Sequence, residues 1–140
     1  MVAYIGSRSP LPLIPFQESA PAFNVTEITE QEQAVLVHLA LPHVRQVGSH
    51  TSCGCGFNEG REHPEVYDDP AAERAGALES SARLAQYVRE HRVEQIYSCW
   101  SGDEAEAQEF ERHVTPADLV AENFFLRERE LLVIDHSPRP

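Results

Sequence analysis

The chain has 140 residues, of which 41% are hydrophobic, 24% charged and 8% aromatic, a composition typical of folded globular chains rather than disordered ones. Its 23 acidic side chains outnumber 11 basic ones, giving a formal charge of -12, and the basic residues are arginines scattered from Arg8 to Arg139 with no lysine. Such a surface repels phosphate backbones and anionic lipid, which argues against a nucleic-acid or membrane-surface role and leaves a basic protein as the charged partner it suits.

The length fits one domain over residues 1–140, able to bury a core without disulfide staples. The first residues, "MVAYIGSRSPLPLIPF", lack the charged start, apolar core and small-residue cleavage site of a signal peptide. No stretch reaches the roughly 20 apolar residues of a membrane span. The expected location is therefore the cytoplasm, where thiols are kept reduced, and three cysteines read as free thiols or ligands rather than a disulfide framework. A Cys53–Cys55 disulfide would also close a very small ring.

In chain order, "VAYIG" reads as a short strand within an extended N-terminal arm, residues 1–24, where Pro10, Pro12 and Pro15 rule out a helix. Thr29 and Glu32 have the spacing of a capping box, and Pro42 supplies a stop, which predicts a helix over Glu30–Leu41. Within it "AVLVHLAL" has branched residues that also suit a strand, and His38 reads as a hydrogen-bonded core histidine. "HVRQVG" predicts a strand ending at Gly48.

Residues 49–70 form a long loop that begins with "SHTSCGCGF" and ends in the acidic run "EHPEVYDDP", and loops of that length commonly carry function. Asp69 followed by Pro70 starts the clearest helix, "AAERAGALESSARLAQYVREHR", with an inner stripe of Ala71, Ala75, Leu78, Ala82 and Ala85 beside Leu84 and Val88. "VEQIYSCW" is a strand, "DEAEAQEFERH" a polar helix, "TPAD" another helix start, and "ELLVIDH" a terminal strand.

This order predicts an α/β or α+β fold, with a three- to four-stranded, mostly parallel or mixed sheet and about three helices. If the strands ending at Gly48, Trp100 and Asp135 are parallel, their carboxyl ends share the rim where open α/β sheets bind ligands. That rim would gather His50, Cys53, Cys55, Cys99, Asp103, Asp135 and His136.

Three functions compete for this rim. In the first, Cys53, Cys55 and Cys99 with His50 or His136 hold a transition metal such as zinc, with Gly54 letting both thiolates of the CxC pair face one ion. In the second, Cys53 attacks a thiol substrate, Cys55 resolves the mixed disulfide and His50 or Arg8 assists. In the third, the cysteines are structural and the acidic domain is a partner-binding or inhibitor-like module. No phosphate loop, HExxH pair or nucleophile elbow occurs, so the sequence assigns no catalytic residue.

Overall fold

In the computed structural model, which describes residues 1–59 and 64–137, the uncharged run Val2–Ser7 forms strand β1 in the interior of a sheet. The other elements are β2 (Asn24–Thr26), β3 (His43–Gly48), helix α1 (Pro70–His91), β4 (Gln95–Cys99), β5 (Phe110–Val114) and β6 (Glu130–Ile134), with 3₁₀ segments between them. The class is mixed α+β. The sheet has six strands in the order β2-β3-β1-β4-β6-β5, two more than the upper limit predicted. Arg61, His63 and Arg139 lie outside the described residues.

β1 takes an interior place because it carries no charge on either face. Ala3 and Ile5 join Val47, Ile96 and Leu132 against Leu84, Ala85 and Val88 of α1. Tyr4 points the other way, into a smaller cluster with Tyr97, Cys99 and Leu131 that Val35 and Leu39 cover. The edges are protected differently. β2 has three residues, and β5 alternates exposed Glu111 and His113 with more covered neighbours, which discourages further strand pairing.

The helix expected over Glu30–Leu41 is a 3₁₀ segment, Glu30–Val37. Its capping box forms, with the Thr29 amide donating to Glu32 Oε1 at 2.8 Å. The branched residues after it weaken α-helical continuation, and Val37 is 72% exposed. His38 is hydrogen-bonded as expected, through Nε2 to the Glu104 carbonyl, and stacks on Tyr97.

α1 begins as its local signals require. Asp69 Oδ1 accepts from the Ala72 amide at 3.2 Å, Pro70 opens the first turn, and Arg92 ends the helix in the left-handed region. Its inner face differs from the predicted stripe: Ala71, Ala75 and Ala82 are exposed, whereas Ala77, Ser80, Ser81, Leu84 and Val88 are buried. The proline-rich segment lies over this layer, burying Leu11 and Phe23, bridging Ile14 to Val25, and accepting a hydrogen bond from Tyr87 at Pro12 O. No helix among the described residues is long and apolar enough to cross a membrane.

The mostly parallel arrangement is corrected. Among the described residues only β5 and β6 run parallel; every other strand pairing is antiparallel. A parallel return from β4 would need a crossover of about a dozen residues or more, usually a helix. The predicted helix from Asp103 is instead a set of turns leading into β5. β3 and β4 therefore point the same way with β1 between them, while β6 runs opposite to β4. Gly48 and Cys99 end at one rim, and Asp135 and His136 follow β6 at the other.

Candidate functional site

The loop after β3 folds back on the first half of α1. The Ser49 hydroxyl donates to Cys53 O at 2.6 Å and closes a turn in which Ser52 has φ 62°. Gly56 sits so near Ser49 that an added Cβ would overlap its hydroxyl. A 3₁₀ turn, Gly54–Phe57, then buries Phe57 in the α1-side core. This anchoring sets His50 and Glu59 against the helix.

Ser80 of α1 holds His50 at two points. Its Oγ accepts from the His50 amide at 3.0 Å and lies 2.9 Å from Nδ1. The far nitrogen, Nε2, therefore faces Glu59, whose Oε2 is 3.9 Å away. Glu73, one α1 turn before Gly76, completes the group: one donor atom each from His50, Glu59 and Glu73 lies within 4.8 Å of the others. All three side chains are partly buried. Burial raises the Glu59 pKa above the usual glutamate value, and a hydrogen bond and charge repulsion from Glu73 raise it further. An added cation relieves both effects, because it neutralises two carboxylates that otherwise face each other.

Cys53 and Cys55 are joined through their sulfurs, with Cα atoms 5.3 Å apart, which corrects the expectation of free thiols for this pair, whereas Cys99 is free. The pair is on the α1 side of the sheet, since the turn it opens packs on α1. The Cys53 sulfur is 3.1 Å from Met1 O and receives the Cys55 amide at 3.3 Å. Cys55 instead lines a cleft of about 360 Å³ with Asn58, Glu59, Tyr67 and Trp100.

The remaining predicted ligands lie elsewhere. Cys99 ends at the same rim but is fully buried in the cluster on the opposite face of the sheet. Burial, then the nearby Glu104 and Asp103 charges, push its thiol up to about 12. His136 is at the other rim and uses Nε2 on Val93 O at 2.7 Å. Arg8 is there too, 80% exposed and paired with Glu94. Of the five predicted ligands, His50 alone belongs to the convergent donor group, and Glu59 and Glu73 are its partners. Their sequence trace is faint: Glu73, Gly76 and Ser80 share one helical face, with glycine where a loop side chain must approach.

On the opposite face of the sheet, the Tyr4 hydroxyl is 2.7 Å from Glu32 Oε2 and 2.8 Å from Glu104 Oε1. Burial and then these carboxylates raise the Tyr4 pKa well above the usual tyrosine range. Glu104 Oε2 also accepts from the Gly102 amide at 3.0 Å. This network ties the 3₁₀ segment and the turn after β4 to the centre of the sheet.

Comparison of the chain with protein-family models, with curated proteins and with solved structures finds no match in any of the three.

Proposed function

We propose that the protein binds a divalent transition metal such as zinc through His50 Nε2 and one carboxylate oxygen each from Glu59 and Glu73. One observation carries this reading: the three donor atoms converge from a loop and a helix, while Ser80 fixes the imidazole from behind. Imidazole nitrogen and carboxylate oxygen are both zinc ligands, and three protein ligands leave a coordination position open. A hydrogen bond at Nδ1 is the kind of outer contact that orients a ligating histidine and selects its tautomer. In the metal-bound form Nδ1–H donates to Ser80 Oγ, leaving the Nε2 lone pair for the ion.

Glu59 also borders the cleft that holds Trp100 and Tyr67. The test is zinc titration by calorimetry on chelator-treated protein. One site per chain is expected, weakened by about ten- to a hundredfold in Ser80→Ala and lost in Glu59→Gln with Glu73→Gln. Unchanged binding in that double variant would remove the proposal.

A further inference from the structure

Cys53 and Cys55 are adjacent in structure but not equivalent. Cys55 opens onto the cleft, whereas the Cys53 sulfur is turned toward Met1 O and the Cys55 amide. We propose that the pair is a thiol–disulfide exchange site in which Cys55 forms the mixed disulfide, Cys53 is the resolving thiol, and the co-substrate is a low-molecular-weight aminothiol.

The roles follow from approach and departure. A thiolate entering the cleft reaches Cys55 Sγ and forms a new S–S bond to it. The Cys53–Cys55 bond breaks, and its electron pair passes to Cys53 Sγ. That sulfur leaves toward an existing N–H donor, the Cys55 amide, which stabilises developing thiolate. Once protonated from solvent, it donates to Met1 O at the 3.1 Å contact already present. A second aminothiol attacks the external sulfur of the mixed disulfide, giving the small disulfide and the Cys55 thiolate. The net reaction converts one protein disulfide and two small thiols into one protein dithiol and one small disulfide. Supplied with the small disulfide, it runs in reverse.

Size and charge choose the co-substrate. A cleft of about 360 Å³ has the scale of a small-molecule site. Its walls include Met1, Asn58 and Val66 together with the Glu59 carboxylate and the aromatic side chains of Tyr67 and Trp100; the carboxylate and the rings attract an ammonium group by charge and by cation–π contact. The -12 charge of the chain adds to that preference over an anionic thiol.

The experiment uses EDTA-treated full-length protein, so the outcome is independent of metal binding. Cys53→Ser is exposed to cystamine or to oxidised glutathione, and the adduct is mapped by mass spectrometry. The expected result is one cysteamine adduct, on Cys55, formed about ten times faster with cystamine than with oxidised glutathione and slowed in Trp100→Ala. Cys55→Ser, with its circular dichroism checked against the parent, should react at Cys53 about tenfold more slowly. Equal reactivity of the two cysteines, or no adduct at Cys55, would overturn the assigned roles. Equal rates with both disulfides would overturn the aminothiol assignment.

Discussion

A Cβ at Gly76 would stand 2.5 Å from His50 Nε2, so the helix position facing the imidazole has room for hydrogen only. Gly76→Ala gains helix propensity of about 1 kcal/mol, which offsets much of the strain of pushing the imidazole aside. The melting temperature should therefore change little, while zinc affinity falls by about ten- to a hundredfold as Nε2 is displaced. Calorimetric titration beside a thermal melt separates the two effects. Unchanged affinity would show that His50 does not need this position.

Acidification should affect the metal-free protein through Glu59. Its folded pKa lies above the ordinary value of 4.5, so the native state holds this proton more tightly than the unfolded chain. The contribution to stability therefore falls as pH rises from 4.5 through the raised folded value, and levels off beyond it. Subtracting the pH-dependent stability of Glu59→Gln from that of the parent, both in EDTA, isolates the effect. Zinc affinity should rise with pH over the same window, because the ion displaces the proton.

Cys99 should resist iodoacetamide in the folded protein at every pH below its value of about 12. Its sulfur is both buried and kept protonated, and the thiolate is the reactive form. Labelling after mild reduction should therefore reach Cys53 and Cys55 and spare Cys99 until denaturant is added. Native labelling of Cys99 would mean that the cover over this face opens readily.

Tyr4→Phe should destabilise the fold by about 1–3 kcal/mol, because it removes the shared hydroxyl and leaves Glu104 buried with fewer donors. Denaturant unfolding measures this directly. Glu32→Gln retains an amide that can meet the same hydroxyl, so its loss should be smaller. A neutral Tyr4→Phe would mean that the carboxylates find other partners on that face.

Local signals in the sequence correspond closely to structure. Asp69–Pro70 starts α1, and Thr115, Pro116 and Asp118 form the second capping box as their spacing requires. Strand direction was not legible, because it depends on whether residues 100–109 make a helix or turns, and the alternation of Phe110, Arg112 and Val114 was hidden in an acidic run. The α1 stripe was misread for a related reason. Ser80 occupies a buried position to hold His50, while Ala71, Ala75 and Ala82 are in solvent and, of the stripe's alanines, Ala85 alone is buried. His50 stood out beside the cysteines, but Glu59 and Glu73 look like ordinary surface acids until the loop folds onto the helix.

Metal content by native mass spectrometry after incubation with zinc decides whether His50, Glu59 and Glu73 hold an ion, for the parent, His50→Ala with Glu73→Gln, and Cys53→Ser with Cys55→Ser. One ion per chain is expected in the parent and the cysteine variant, and none in the His50/Glu73 variant. An ion kept by the His50/Glu73 variant and lost from the cysteine variant would contradict that assignment.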